Sequence, residues 1–144
     1  MENVEYFEQM AGKALAIAYK AFPLPKEIPA SDLARSVEAD RISEHDRQQI
    51  AGHTLKWLVD AGYLQRTVKD QVGNFRGTLT TKGLECLRAL PRVLTASGKE
   101  TQTKESIGDQ LVEAAGEGAK AAVKENVKDL VAQALAFGVR LLIS

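Results

Sequence analysis

Apolar residues recur at the spacing of an α-helix along the first twenty residues of the chain. The members of this repeat are Phe7, Ala11, Ala14, Leu15, Ala18 and Phe22. They predict a helix from about Asn3 to Ala21, because residues three or four apart lie on one helical face. Pro23 and Pro25 end this helix, since proline lacks a backbone N–H and pushes the preceding residue out of helical geometry.

Two further helices and an extended segment are predicted before residue 63. Residues 26–28 are predicted to be extended, and Ser31 is predicted to cap a short helix that reaches Val37. Ser43 is predicted to cap the third helix, with Asp46 three residues later in the place of the usual capping-box glutamate. The apolar face of this third helix is broad and comprises Ile50, Ala51, Thr54, Leu55, Trp57, Leu58, Ala61 and Gly62.

The pattern changes to strict alternation after Gly62, a residue that suits the left-handed conformation just past a helix end. Residues 63–68 and 75–79 each alternate between apolar and polar side chains. Gly73-Asn74 lies in the segment between them and supplies a turn. Together these signals predict an antiparallel β-hairpin.

A fourth helix is predicted to begin near Thr80 or Thr81 and to bury a stripe of leucines. Pro91 bends or ends it, and residues 93–94 are predicted to continue it for one turn. The segment 95–105 that follows is polar and contains Ser97-Gly98. It therefore predicts a linker.

A helical pattern returns from residue 106 to residue 143, and its second half forms a heptad seam of less than three repeats. The seam consists of Val123, Val127, Leu130, Ala134, Phe137 and Leu141. It fits a helix that folds back on its own domain, one that pairs with a second copy, or one that lies on a membrane surface. The polar face carries charges of both signs, so membrane binding is disfavoured. The seam is predicted to form a homo-oligomer interface, most simply in a dimer.

Composition limits the possible classes of protein. The chain has 144 residues, with 19 Lys plus Arg and 19 Asp plus Glu, so it has no strong overall attraction to nucleic acid or anionic lipid. Cys86 is the single cysteine, which excludes an intramolecular disulfide. No secretory signal or bilayer-spanning stretch is recognised, and a cytoplasmic location is expected. No catalytic group of residues, cofactor motif or zinc spacing is recognised, so we expect a protein that is not an enzyme.

Residues 3–94 resemble the winged helix-turn-helix superfamily. The resemblance rests on Leu55-x-x-Leu58-x-x-x-Gly62-Tyr63-Leu64 and on Leu79-Thr80-Thr81-Lys82-Gly83-Leu84. In such domains the first pattern is the recognition helix running into the wing, and the second returns from the wing into a closing helix. The implied fold is mostly α (α+β). It has a winged-helix domain at 1–94 with a two-stranded wing. The pattern of residues, rather than the resemblance, adds a polar linker at 95–105 and a C-terminal helical extension at 106–144, which lie outside the basic winged-helix plan.

The resemblance implies a non-enzymatic DNA-binding or regulatory module in which the third helix enters the major groove. Candidate contacts to bases are Gln49, His53 and Lys56. Candidate contacts to phosphates are Arg66, Lys69, Arg76 and Lys82. The segment 62–92 holds six basic and two acidic residues, which gives a local positive field. Against this, Glu44 and Asp46 stand at the start of the third helix, where DNA would approach.

Two other functions remain open. The chain could serve as a protein-interaction adaptor, with the winged helix as scaffold and the C-terminal helix as the docking element for a helical partner. A lower alternative is a membrane-surface effector acting through residues 130–143. Trp57 is expected in the core or at a domain seam, and an exposed tryptophan there would instead mark an interface.

Overall fold

The computed structural model describes residues 3–37, 42–67, 74–89, 92–94, 100–102, 105–115 and 127–143, and these are mostly helical. The helices are α1 (Asn3–Ala21), α2 (Ala30–Arg35), α3 (Glu44–Asp60), α4 (Thr81–Arg88), α5 (Ile107–Ala115) and α6 (Val127–Ile143). The strands are β1 (Lys26–Pro29), β2 (Leu64–Arg66), β3 (Asn74–Leu79), β4 (Arg92–Leu94) and β5 (Glu100–Gln102).

Helix α1 is the element on which most of the others pack. Helices α3, α5 and α6 and strand β3 all contact it. Its buried residues therefore exceed a single helical stripe and are Tyr6, Met10, Ala11, Gly12, Ala14, Leu15, Ala16 and Ala18. The predicted bounds of this helix, Asn3 to Ala21, are confirmed.

The sheet has three antiparallel strands in the order β1-β3-β2. In the β2–β3 hairpin Leu64 lies opposite Leu79 and Arg66 opposite Gly77, while Ile28 of β1 lies opposite Phe75. The apolar members of these pairs are buried and cover one face of the sheet. The predicted hairpin strands are thus confirmed, with observed bounds of 64–66 and 74–79. Residues 68–73, which include most of the predicted turn, lie outside the described residues.

Helix α3 begins as its sequence indicates, and α2 does not. The N–H of Asp46 donates to Ser43 Oγ at 3.1 Å, so the predicted cap of α3 is confirmed. Helix α2 begins at Ala30 without a side-chain cap, so the prediction of a Ser31 cap is wrong. The extended backbone of Pro29 (φ −68°, ψ 137°) leads the chain directly into the helix one residue earlier. Proline is tolerated there because a helix start needs no N–H from it.

The junction after α4 also differs from the prediction. The helix ends at Arg88 because Ala89 takes an extended conformation. Residues 92–94 form strand β4 rather than a further helical turn, and β5 pairs with it inside the predicted linker. The N–H of Ile107 donates to the Ala89 carbonyl at 2.9 Å, which ties the start of α5 to the end of α4.

The C-terminal helices fold back onto the rest of the chain. Helices α5 and α6 pack on α1, on α4 and on each other. Lys13 Nζ donates to the Ala115 carbonyl at 3.1 Å, and Lys128 pairs with Glu5 at 2.9 Å. The sequence left three arrangements open for the C-terminal helix. In the structure this helix folds back on its own chain.

This packing also bears on the predicted oligomer seam. Leu130 and Ala134 are buried by the chain itself, and Val127 and Phe137 are partly buried. Val123 and the side chain of Leu141 lie outside the described residues. A homo-oligomer stays a prediction. Because the chain itself buries Leu130 and Ala134, an oligomer interface would have to use surfaces other than these seam residues.

Two glycines in helices provide a matched test of this packing. Gly83 sits where α4 approaches the hairpin so closely that a Cβ would overlap the carbonyl oxygen of Tyr63, whereas a Cβ at Gly52 would meet open space. We expect Gly83→Ala to lower the free energy of unfolding by about 1–3 kcal/mol through overpacking. Gly52→Ala should raise it by about 0.5–1 kcal/mol, because alanine loses less backbone entropy.

Urea denaturation of the two variants beside the unchanged chain measures both effects. Equal stability changes of the same sign would show that the close approach of α4 to Tyr63 does not constrain residue 83.

Candidate interaction surface of helix α3 and the hairpin

Helix α3 presents one exposed row of polar side chains. Gln49, His53 and Lys56 are exposed, as are His45 and Gly52 on the same side. The opposite side is buried and carries Ala51, Thr54, Leu55 and Leu58. The three predicted base-contacting residues are therefore all accessible to a ligand, and they lie within about two turns of one another.

The charge on this row is not strongly positive. Lys56 Nζ lies 3.8 Å from the carboxylate of Asp60 one turn later, which partly neutralises the only lysine of α3. Glu44 and Asp46 occupy the first turn, where they suit the positive end of the helix dipole. Helix α3 therefore offers a largely neutral surface with an acidic start.

Arg47 lies in the first turn of α3 and has a structural role. Its Nη1 donates to the carbonyls of Ala34 and Val37, each at 3.4 Å. These carbonyls lie at the C-terminal end of α2, which favours a positive charge. The guanidinium thus fixes the start of α3 against the end of α2.

The hairpin carries two exposed arginines, Arg66 and Arg76. Side chains alternate between the faces of a strand, and Arg66 lies opposite Gly77 while Arg76 lies opposite Glu27. The two arginines therefore leave opposite faces of the sheet. The Arg66 guanidinium lies 5.4 Å from the centre of the Phe75 ring and covers the apolar edge of that residue. Lys69, the third predicted phosphate contact of the wing, lies outside the described residues.

Lys82 is engaged with its own chain. Its Nζ donates to the Ala61 carbonyl at 2.8 Å and lies 4.4 Å from the centre of the Tyr63 ring. The ammonium therefore satisfies a carbonyl at the C-terminal end of α3. A phosphate contact by Lys82 stays a prediction. The ammonium would have to bind the phosphate and the Ala61 carbonyl at the same time.

Trp57 lies at the seam between α1 and α3 and remains 44% exposed. Its ring is in edge contact with Phe7 of α1 (5.1 Å between centroids) and stacks on Tyr63 (6.1 Å). The Tyr63 hydroxyl donates to the Leu135 carbonyl of α6 at 3.3 Å. Trp57 is thus at a seam, as expected, and a large part of the indole also faces solvent.

A cavity of about 510 Å³ opens between the N-terminal ends of α1 and α3. Its lining residues are Asn3, Tyr6, Ile42, Ser43, Asp46, Gln49 and Ile50. Tyr6 is 4% exposed, and its side chain forms part of the cavity wall. The cavity therefore combines an apolar wall with several groups able to hydrogen bond.

The remaining candidate chemistry consists of Cys86 and of residue types that can bind a metal ion. Cys86 is buried, and this burial raises the pKa of its thiol to about 11, so it stays protonated at neutral pH. Within the described ranges, no group of three His, Cys, Asp or Glu residues is placed to hold a metal ion. In the same ranges, no helix is long and apolar enough to cross a bilayer.

Sequence reasoning did not find the structural roles of Arg47 and Lys82 or the cavity beside Tyr6. In the sequence, Arg47 and Lys82 cannot be distinguished from ordinary surface cations. Their carbonyl partners come close to them only when separate helices pack together. The cavity depends on two helices that are about forty residues apart in the chain. No periodicity or motif signals it.

Comparison of the chain with protein-family models, with curated proteins and with solved structures gives no match.

The role of Lys82 can be measured as stability. We expect Lys82→Met to lower the free energy of unfolding by about 1 kcal/mol, because it removes a charged hydrogen bond and a cation–π contact at a partly exposed site. Lys56→Met removes only an exposed ion pair and should change stability by less than about 0.5 kcal/mol. Thermal unfolding followed by circular dichroism compares the two, and equal changes would contradict the assigned role of Lys82.

Proposed function

We propose that the N-terminal part of the chain, through α4, is a winged helix-turn-helix module that binds double-stranded DNA. Three features support this proposal. The order of elements from α1 to β3 follows the winged-helix plan, the three-stranded sheet has β3 at its centre, and the β2–β3 hairpin follows directly after α3. In such modules the third helix is the one that enters the major groove.

The contact between the end of α2 and the start of α3 supports the same proposal. A helix-turn-helix needs a fixed angle between the supporting helix and the recognition helix, since the first crosses the DNA backbone while the second reads the bases. Arg47 holds the end of α2 by two hydrogen bonds, and Ser43 caps the start of α3. The two helices are thus joined at a defined geometry before any ligand binds.

The observation that carries the proposal is the accessibility of both predicted contact surfaces. The exposed row of α3 and the arginines of the hairpin are uncovered, while α5 and α6 pack on α1 and α4. The Gln49 amide can form two hydrogen bonds with an adenine edge, and Lys56 can donate to a guanine or a phosphate. Arg66 and Arg76 have the chemistry for phosphate contacts.

The distribution of charge suggests which surface supplies the affinity. Phosphate neutralisation provides most of the energy of non-specific binding. Helix α3 contributes little to it, because Lys56 is paired with Asp60 and the first turn is acidic. Arg66 and Arg76 are then the main described cations available to the DNA backbone, and the exposed His53 and Gln49 are the proposed contacts to bases.

Substituting the two hairpin arginines tests this assignment. Each phosphate contact contributes about 0.9 to the slope of log affinity against log salt concentration. We expect Arg66→Gln and Arg76→Gln each to reduce that slope by about one and to weaken duplex binding roughly uniformly across sequences. Fluorescence anisotropy with labelled duplexes, at several salt concentrations, gives both quantities.

Lys20→Gln serves as the control, because it removes one exposed positive charge from the end of α1 and leaves α3 and the hairpin unchanged. It should leave the slope as it is. Absence of any salt-dependent duplex binding, or an equal effect of the Lys20 variant, would contradict the proposal.

A further inference from the structure

The side chain of Tyr63 connects the end of α3 to the C-terminal helix α6, and the DNA-binding proposal makes no use of this contact. Tyr63 stands between α3 and β2 and is 3% exposed. Its ring stacks on Trp57 of α3, and its hydroxyl donates to the Leu135 carbonyl of α6 at 3.3 Å. One side chain therefore contacts both the proposed recognition helix and a helix that packs on α1, α4 and α5.

The backbone of Tyr63 belongs to the junction between α3 and the hairpin. Its N–H donates to the Leu58 carbonyl of α3 at 2.9 Å. Its carbonyl accepts the N–H of Thr80, the residue that follows β3, at 3.1 Å. A displacement of Tyr63 that reaches its backbone would therefore change the direction in which the hairpin leaves α3.

The hydroxyl end of Tyr63 fits against a glycine of α6. A Cβ at residue 138 would overlap the Tyr63 hydroxyl oxygen and would lie 2.9 Å from two carbons of the ring. Gly138 is buried and lies inside the helix, where glycine is destabilising relative to alanine. The close approach of the Tyr63 ring accounts for the absence of a side chain at this position.

The Tyr63 ring has a third contact, which comes from α4. Lys82 Nζ lies 4.4 Å from the ring centre while it donates to the Ala61 carbonyl. The ring is thus held by α3, α4 and α6 together. A closely packed interior transmits a local displacement to its neighbours, so a change at the α6 end of the ring is expected to reach Trp57 and the junction.

We infer that α6 positions the surface of α3 and the hairpin through Tyr63, so that a change at the Gly138 contact alters duplex affinity from outside that surface. Tyr63 acts here as a positioning residue, since it sets the geometry of the groups that contact DNA. The effect on affinity rests on the proposed DNA binding, whereas the link between α6 and α3 exists without DNA. Coupling of this kind is reciprocal, so duplex binding in turn changes the contact at Gly138.

The link is tested in the full chain by the fluorescence of its single tryptophan. We expect Gly138→Ala to displace the Tyr63 ring from Trp57. The indole then gains contact with water, and its emission shifts to longer wavelength. Circular dichroism of the same samples confirms that the variant is folded.

Ala136→Gly is the matched control on the same helix. Ala136 is exposed on α6, and the substitution weakens the helix without changing the contact with Tyr63. The two variants make opposite exchanges of alanine and glycine two residues apart. Ala136→Gly should leave Trp57 emission unchanged, because the Tyr63 contact and not the stability of α6 controls the indole.

Tyr63→Phe tests the role of the hydroxyl and keeps the ring against Trp57. Alone it should shift Trp57 emission slightly to longer wavelength, because the hydrogen bond to α6 is lost. Combined with Gly138→Ala it should reverse part of that variant's shift, since the hydroxyl oxygen is the atom closest to the added methyl group. Tyr19→Phe, which removes a hydroxyl 3.4 Å from Ser106 Oγ, is its control and should leave the emission unchanged.

Duplex affinity of the same variants tests the consequence for binding. We expect Gly138→Ala to weaken duplex binding about fivefold, the low end of typical coupling between sites, and Ala136→Gly to leave it unchanged. Fluorescence anisotropy with a labelled duplex at one salt concentration measures both. If the unchanged chain binds no duplex, the proposed function fails, and Trp57 emission still decides whether the link exists.

Four results would overturn the inference. They are unchanged Trp57 emission in Gly138→Ala, an equal shift in Ala136→Gly, a Tyr63→Phe exchange that adds to the Gly138→Ala shift, and a shifted emission without loss of duplex affinity. If Gly138→Ala does not fold, the comparison of Tyr63→Phe with Tyr19→Phe decides in its place, and equal emission and duplex affinity of these two variants would contradict the positioning role.

Discussion

The junction between α3 and the hairpin is the constraint on which the arrangement of the exposed surfaces depends. Gly62 leaves the helix in a left-handed conformation (φ 89°) that other residues rarely adopt. Lys82 then binds the Ala61 carbonyl, and the N–H of Thr80 donates to the carbonyl of Tyr63 at 3.1 Å. These contacts fix the direction in which the hairpin leaves α3, so that both elements can face one ligand.

The same junction connects the N-terminal fold to the C-terminal helices. Tyr63 stacks on Trp57 and hydrogen bonds to the backbone of α6. Helix α6 in turn packs on α1, which already carries α3 on another side. The C-terminal helices are therefore part of one core with the first eighty-nine residues, although the sequence suggests an appended extension.

Features set by neighbouring residues could be predicted from the sequence. The bounds of α1, the Ser43 cap, the Gly62 terminus and the hairpin strands each follow from a local pattern of side chains or from a single special residue. The exposed positions of Gln49, His53 and Lys56 follow in the same way, because the buried stripe of α3 defines its opposite face.

Features set by distant residues could not be predicted. The pairing of β4 with β5 joins two segments of three residues, and neither has a pattern long enough to predict a strand. The position of α6 depends on the apolar surface of α1, which extends beyond one helical stripe. The additional buried positions of α1 are mostly small residues, so the sequence does not show them as a second apolar stripe. The Lys82 contact and the cavity beside Tyr6 arise only when separate elements meet.

We propose that α3 and the β2–β3 hairpin together form the surface that contacts duplex DNA. A titration of the isotopically labelled full chain with a short duplex, followed by amide chemical shifts in NMR, tests it most directly. We expect the perturbed amides to cluster at residues 45–56 of α3 and in β2 and β3. Perturbations confined to α5 and α6, or none at duplex concentrations well above that of the protein, would contradict it.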